Sequence, residues 1–457
     1  MRKYTAKEIA DITNGTILSG STKICIDNIQ YDSREVHKGS LFVPIKGAKT
    51  DPYQFIDSCF EKGASAVLTE YFNEDCSDQT MIMVDNTLYA LQAIAADYRQ
   101  RMDINLIGVT GSVGKTSTKE MIAAALSCGL DVMKTQGNRN SQIGLPMTMF
   151  ELEEHNEAAV IEMGMSEFGE MDRLCDVARP NMAVMTNIGK AHIENLKTQE
   201  NILKEKFRIT KHFDENSVLF INGDDPLLKT LHNKQSFRTV TFGLSEENDY
   251  HPEEIKTSGF STTFICVRGD KRTDVRIPAL GVHVIINALA AFAVGEALDL
   301  PPELITRGIA GYQNAPMRQQ LHEMKGFLLI DDSYNASPEA TKASIDVLKE
   351  AASGGKSIAV LADMLELGEE APTEHYNVGK HLAEQGIDEL ITVGPLSENT
   401  AKGARENGCS KVSSFETNGD AYNYLKTVIE KDCAVLVKGS RSMRTDEIVN
   451  YVMKDFE

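Results

Sequence analysis

The sequence predicts an α/β protein of three domains: a small N-terminal α/β module over residues 1–103, a central parallel-sheet domain over 104–312 and a C-terminal Rossmann-like domain over 313–457. Three observations carry that prediction. Short apolar runs recur along the chain, separated by stretches long enough for crossover helices, which is how parallel sheets are wound. A glycine-rich turn joins the apolar run at Asn105–Thr110 to a helical pattern. The texture of the sequence changes near 104 and again near 313, and 457 residues accommodate three cores at roughly 100–200 residues per domain.

Taken in order, the N-terminus MRKYTAKEIADITNG turns from basic to amphipathic without the apolar core of a signal segment. Thr5 and Glu8 have the spacing of a capping box and predict a helix. Leu41–Ile45, Ala66–Leu68 and Met81–Val84 are short apolar runs between Gly- and Asp-bearing loops. In the central region NLIGVT, AAVIEM (158–163), MAVMTNI (182–188) and VLFING (218–223) are predicted as buried parallel strands. Met121, Ile122, Ala125 and Leu126 line one helical face that ends at Gly129. Residues 238–278 alternate and show no helical period, which predicts a β excursion. Beyond Tyr312, FLLIDD, SIAVLAD, ELITVG and CAVLVKG alternate with helical segments, the order of a right-handed βαβ sheet.

Composition narrows the function classes. With 47 basic against 67 acidic residues the net charge is −20, which disfavours coating of nucleic acid or an anionic membrane surface. No apolar run approaches the roughly 18–20 residues that span a bilayer. The eight cysteines are scattered with no C-x-x-C pair, so neither a zinc site nor a disulfide framework is predicted. A monomeric cytoplasmic protein with no nucleic-acid partner and no membrane anchor is the expectation.

The sharpest local signal is Thr110-Gly111-Ser112-Val113-Gly114-Lys115-Thr116, followed by Ser117, between a predicted strand and a predicted helix. Glycines let backbone N–H groups turn toward phosphate oxygens, and the helix N-terminus adds partial positive charge. Lys115 would reach the β/γ-phosphates and the Thr116 hydroxyl would ligate Mg²⁺. The strict G-x-x-x-x-G-K-S/T pattern requires glycine where this chain has Val109; the strand–loop–helix context supplies what the pattern lacks. ATP or GTP binding is predicted. Glu162 ends an apolar strand, where a carboxylate emerges at the carboxyl edge of an open sheet, beside the loop. By themselves, His192 is an isolated histidine after a strand, Lys206 a lysine on the solvated face of a charged helix, and Arg441 a surface arginine. The residues alone thus indicate a Mg-ATP enzyme and leave its acceptor open.

TGSVGKTSTKEM, GNRNSQIGLP (137–146), VIEMGMSEFGEM (160–171) and TNIGKAHIE (186–194) together resemble, in order, the Mur ligases of peptidoglycan synthesis, whose ATP loop also lacks the first glycine. DDSYNASPEA (331–340), VLADMLELG (360–368) and KGSRSM (438–443) resemble the branch that adds D-alanyl-D-alanine to a UDP-N-acetylmuramoyl tripeptide. The branch adding the third residue carries D-N-P-R, and this chain has no Asp-Asn-Pro.

The resemblance implies an N-terminal domain for the UDP end of the substrate, a central P-loop ATPase domain, and a C-terminal ligase domain that closes over both. It implies an ATP-dependent peptide-bond-forming reaction through an acyl phosphate, with small-molecule substrates and two Mg²⁺ ions. Asp32-Ser33-Arg34 looks like the uridine-binding motif, and Gly47, Asp51 and Phe55 fall in the second substrate loop. Asn138 and Asn140 lie in the matching GNRN segment. Thr116 and Glu162 match ligands of one Mg²⁺ and His192 a ligand of the second. Lys206 has the spacing of a lysine carbamylated in several relatives. Asn287 matches an adenine-side asparagine, and Arg318, Asp332, Tyr334 and Asn335 match nucleotide contacts. Lys438, Ser440 and Arg441 match the strand end facing the reacting groups.

Four departures from the pattern stand out. Val284 stands for asparagine in H-N-x-x-N, Pro52-Tyr53 for Gly/Ala-His, Asn86 for aspartate and Ser141 for asparagine. None touches Lys115, Thr116, Glu162 or His192; Val284 bears on a polar contact near the nucleotide and Pro52-Tyr53 on the UDP-substrate loop. Another amide ligase of the same fold, or a P-loop ATPase switch without ligase activity, are the alternatives that the sequence leaves standing.

Overall fold

The computed structural model describes residues 1–47, 50–71 and 79–456; Cys76 lies outside the described residues. The predicted capping box forms at the first helix, Ala6–Thr13: the Thr5 side chain accepts from the Glu8 N–H and the Glu8 carboxylate accepts from the Thr5 N–H at 2.8 Å. The N-terminal sheet runs 16–19, 81–83, 66–69, 40–42, 28–30, parallel except for its first pair. The apolar runs expected at 41–45, 66–68 and 81–84 supply three of its five strands.

The central sheet has six parallel strands in the order 238–242, 218–222, 182–185, 105–110, 158–162, 132–134. All four predicted strands are members. The short strand Val132–Lys134 was not predicted, because only three half-buried residues at a sheet edge carry no apolar run. The expected excursion at 238–278 divides: Arg238–Phe242 joins the central sheet, and 251–258, 261–268 and 271–277 form a separate antiparallel sheet. Tyr250 bridges the two by packing beneath helix Val282–Ala297, whose residues 287–295 are buried without a break. Such a helix is apolar on all faces because it lies between two layers.

The C-terminal sheet is ordered 320–324, 327–332, 434–438, 357–362, 389–393, 412–415, parallel except for its first, antiparallel pair. Helices cover both faces, giving two apolar cores, one around Ile330, Leu348 and Leu382 and the other around Leu329, Leu425 and Val452. The N-terminal core is continuous with one face of the central sheet: Tyr98 donates to the Leu152 carbonyl at 2.7 Å, and the Arg99 guanidinium donates to the Ala178 carbonyl at 3.0 Å. Among the described residues, no helix is long and apolar enough to cross a membrane.

This topology fixes where chemistry can occur. Strand Asn105–Thr110 is flanked by 158–162 on one side and 182–185 on the other, so the chain reverses its path across the sheet there. A crevice opens at such a switch point, outside the carboxyl ends of the strands. Thr110, Glu162 and Thr186 all stand at that edge.

Candidate active site

The loop 111–114 begins where Thr110 leaves its strand. Val109 remains in the strand and is fully buried, which is why the extended first glycine of the usual pattern is dispensable here. Gly111 is required by space as well as by its φ of +155: a Cβ there would lie 1.8 Å from Thr186 Oγ1. Gly114 adopts φ +85 and opens helix Lys115–Leu126, whose N-terminus no side chain caps. The first N–H groups of a helix have no intrahelical partner, so those of Lys115, Thr116 and Ser117 are aimed at whatever the loop holds. The Thr110 hydroxyl is buried without a hydrogen-bond partner at the base of the loop. Together these features fit a phosphate group.

The loop is buttressed by the segment after strand Met182–Met185. Asn187 Oδ1 accepts from the Val113 N–H at 2.9 Å, its backbone carbonyl accepts from Ser112 N–H at 3.0 Å, and Thr186 Oγ1 donates to the Val113 carbonyl at 2.6 Å. Neither Thr186 nor Asn187 was singled out from the sequence, although both begin the quoted run TNIGKAHIE.

Charge is arranged in two groups. Glu162, 2% exposed, accepts from Thr116 Oγ1 at 2.9 Å through one oxygen and from Asn140 Nδ2 at 2.6 Å through the other. A hydroxyl and a carboxylate are the hard oxygen donors that Mg²⁺ selects. No group of three His, Cys, Asp or Glu suited to a metal occurs among the described residues. The second group is cationic: Lys115 Nζ donates to the carbonyls of Gly111 at 2.7 Å and Ser112 at 3.2 Å, and Lys206 Nζ donates to Gly111 O at 2.9 Å.

Lys206 is 1% exposed, which corrects the solvated-face reading of its helix. The helix Gln199–Phe207 buries Glu205 as well as Lys206, and Lys206 points inward to the phosphate loop. Desolvation first, and the neighbouring Lys115 second, push its ammonium well below the usual lysine range. Desolvation likewise lowers Lys115, opposed by Glu162.

The remaining candidates fall into three places. Asn287 is buried and accepts from Thr118 Oγ1 at 2.7 Å, tying helix 282–297 to the phosphate-loop helix. Val284 is buried in the apolar core on the same helix, so the departure at 284 fills space instead of offering an amide. In the C-terminal domain Asp332 and Lys438 are register partners on adjacent strands and pair at 2.6 Å; Lys438 also donates to the Asn335 carbonyl at 2.9 Å. Two guanidinium groups approach the Tyr334 ring, Arg318 at 4.3 Å and Arg441 at 5.9 Å from its centre. Ser440 Oγ accepts from the Leu365 N–H at 2.9 Å. His192, at φ +63, sits at the domain junction with Nδ1 2.9 Å from Glu366 Oε2.

The N-terminal candidates form a separate group. Arg34 forks onto Asp32, which holds that carboxyl at about 2. The Ser33 carbonyl accepts from Lys62 Nζ at 2.7 Å. Asp51 caps the turn Pro52–Phe55, accepting from the Tyr53 N–H at 3.1 Å, and the Tyr53 ring packs edge-on to Tyr71. Phe55 packs on a small cluster around Phe42 and Ile56. Gly47 and Asn138 are exposed. Asn86 caps helix Thr87–Gln100, accepting from the Tyr89 N–H at 2.9 Å; asparagine caps as well as aspartate, which accounts for that departure.

Three family descriptions match the chain: the Mur ligase family catalytic domain over residues 25–99, the Mur ligase middle domain over 109–295, and the Mur ligase glutamate ligase domain over 317–441. The chain is 38% identical over 453 residues to the UDP-N-acetylmuramoyl-tripeptide–D-alanyl-D-alanine ligase of Bacillus subtilis (strain 168), with 98% of each covered. It is 33% identical over 465 residues to the ligase of the same name from Escherichia coli (strain K12), covering 100% of this chain and 99% of that one. A crystal structure of MurF from Acinetobacter baumannii superposes with a TM-score of 0.92 at 29% identity, covering 99% of both chains. MurF ligase from Thermotoga maritima in complex with ADP superposes at 0.85 with 30% identity, covering 94% of this chain and 97% of that one. Matched in all three domains and over its full length, the chain belongs to the Mur ligase family.

Proposed function

We propose that the chain is an ATP-dependent amide ligase that joins D-alanyl-D-alanine to a UDP-N-acetylmuramoyl tripeptide, giving the pentapeptide precursor of peptidoglycan. The observation that carries this reading is end-to-end similarity to ligases of that name, 38% over 453 residues in the Bacillus subtilis relative, combined with an intact Lys115–Thr116–Glu162 cluster. The ADP held by the Thermotoga maritima relative supports the phosphate loop as the nucleotide site. The enzyme is proposed to act as a monomer in the cytoplasm.

The chemistry follows from what a carboxylate lacks. It is a poor electrophile, and transfer of the γ-phosphoryl group from ATP turns its oxygen into a good leaving group. The amine of D-alanyl-D-alanine then attacks the acyl carbon, and the tetrahedral intermediate expels phosphate as the C–N bond is kept and the C–O bond breaks. Both steps crowd negative charge together. Lys115 and the N–H groups of Lys115, Thr116 and Ser117 answer that charge from fixed positions. Thr116 and Glu162 would hold one Mg²⁺, with His192 and a carbamylated Lys206 toward a second, and the ions would neutralise charge on the phosphoryl oxygens. Asn287, Arg318, Asp332, Tyr334 and Asn335 are assigned to the nucleotide, and Ser33, Arg34, Gly47, Asp51 and Phe55 to the UDP end. Asn138, Asn140, Lys438, Ser440 and Arg441 are assigned to the reacting substrates. The acyl phosphate must be kept from water, which requires the C-terminal domain to close.

Hydroxylamine tests the intermediate. Mixed with Mg-ATP and UDP-N-acetylmuramoyl tripeptide in the absence of dipeptide, the enzyme should yield the tripeptide hydroxamate by mass. ATP consumption without hydroxamate would count against an acyl phosphate.

A further inference from the structure

The segment that buttresses the phosphate loop continues into the junction with the C-terminal domain. Four residues after Thr186, Lys190 Nζ contacts two carboxylates of that domain, Glu370 Oε2 at 2.5 Å and Glu374 Oε1 at 2.9 Å. The surfaces fit closely around this clasp: a Cβ on Gly189 would lie 3.1 Å from Glu339 Oε1. Glu374 is nearly buried, with its side chain 11% exposed, whereas Lys190 is 31% exposed. Glu370 is 43% exposed, so the clasp joins one solvent-facing contact to one nearly buried one, and loss of Lys190 leaves the Glu374 carboxylate without that partner.

Both ends of the clasp lead to the chemistry. On the central side, Thr186 and Asn187 bond directly to Val113 of the phosphate loop. On the other side, Glu374 is followed by His375, which is fully buried; its Nε2 accepts from the Met364 N–H at 2.9 Å. The next residue, Leu365, donates to Ser440, beside Arg441. Backbone and side-chain bonds therefore run without a gap from the phosphate loop, through Lys190, to the loop that carries Arg441. Lys190 lies within the run TNIGKAHIE, but neither it nor Glu370 or Glu374 is singled out by the sequence, where each reads as an ordinary surface charge.

We propose that Lys190 is a positioning residue for ligation: by bonding Glu370 and Glu374 it docks the C-terminal domain onto the buttress of the phosphate loop and so brings the Arg441 loop to face the bound nucleotide. The proposal rests on the ligase reading for its effect on turnover, but the docking itself does not depend on that reading. Lys190 touches no reacting group. Its role is expressed through the domain it holds.

Charge exchange tests it. Lys190→Glu is compared with the wild type, with Glu370→Lys/Glu374→Lys, and with all three changes combined, each variant confirmed folded by circular dichroism. Two readouts are taken: the radius of gyration in solution, without ligand and with the non-hydrolysable ATP analogue AMP-PNP, and steady-state kinetics with AMP-PNP affinity. Like charges set against each other at the clasp should enlarge the particle, lower kcat roughly tenfold or more and weaken AMP-PNP binding, because the nucleotide contacts assigned to Arg318, Tyr334 and Asn335 move away with the C-terminal domain. The combined variant should regain the wild-type radius and most of kcat. Lys190→Gln should fall between, since it keeps donors and loses charge. Lys190→Glu with wild-type radius and kcat, or a combined variant no better than Lys190→Glu, would overturn the proposal. If the wild type shows no dipeptide-dependent turnover, the ligase reading fails while the scattering comparison still decides the clasp.

Discussion

Lys115 and Lys206 place both side-chain ammonium groups on one acceptor, the Gly111 carbonyl oxygen, at 2.7 and 2.9 Å. Two cations on one carbonyl repel each other, and Lys206 is buried besides. Phosphate oxygens in the loop would relieve the repulsion at once. A carbamate on Lys206 would relieve it by reversing one charge. The paired lysines thus favour an anion in the phosphate loop.

Lys115→Ala should abolish turnover, with a loss of roughly 10²–10³-fold or more in kcat, the scale seen when one fixed donor to developing charge is removed. The fold should survive, since the side chain bonds only loop carbonyls. Circular dichroism and phosphate release on the same sample check both parts. Near-normal activity would refute the assignment of the phosphate loop.

Lys206→Ala should lose activity that a short-chain carboxylate at high concentration partly restores. The sign of the pH effect follows from the chemistry: only a neutral amine takes up CO₂, and the lowered basicity of Lys206 makes that form accessible. Activity should therefore fall as the medium is acidified and the carbamate discharges, and bicarbonate should oppose the fall. A ¹³C carbamate resonance from labelled bicarbonate, absent in Lys206→Ala, is the direct check; its absence in the wild type would contradict carbamylation.

Asn287→Ala should weaken ATP binding and also cost about 1–3 kcal/mol of stability, because it leaves the buried Thr118 hydroxyl unpaired. Adding Thr118→Val should cost little more, since both partners are then gone. Urea unfolding of the single and double variants measures this. A double variant whose loss equals the sum of the two single losses would contradict the pairing.

Arg34 lowers the Asp32 carboxyl to about 2, chiefly through its side-chain hydrogen bonds. The pairing is therefore complete above the ordinary carboxylate value and is lost only as pH falls through about 2. In Arg34→Ala, ¹³C-carboxyl titration should find Asp32 back in the ordinary range. KM for the UDP-linked substrate should rise while KM for ATP is unchanged.

What the sequence revealed is what local chemistry encodes. The phosphate loop was legible because glycines, a lysine and the strand–helix change lie within one short stretch, and the buried strands because parallel sheets make continuous apolar runs. Edge strands such as Val132–Lys134 and Val412–Phe415 were not, since their residues are half-buried and mixed. Lys206 looked solvated because periodicity does not say that the inward face of its helix meets Gly111. His192 could be placed after a strand, but its pairing with Glu366 joins two domains far apart in the chain. Asn86 looked like a departure until its capping role gave it a reason.

Phosphate release from Mg-ATP with UDP-N-acetylmuramoyl tripeptide, with and without D-alanyl-D-alanine, followed by mass analysis of the nucleotide product, separates a ligase from a hydrolase. The ligase should release phosphate only with both substrates present and form a product heavier by one dialanine unit. Phosphate release indifferent to both, with no heavier product, would leave a nucleotide-hydrolysing loop and contradict the ligase.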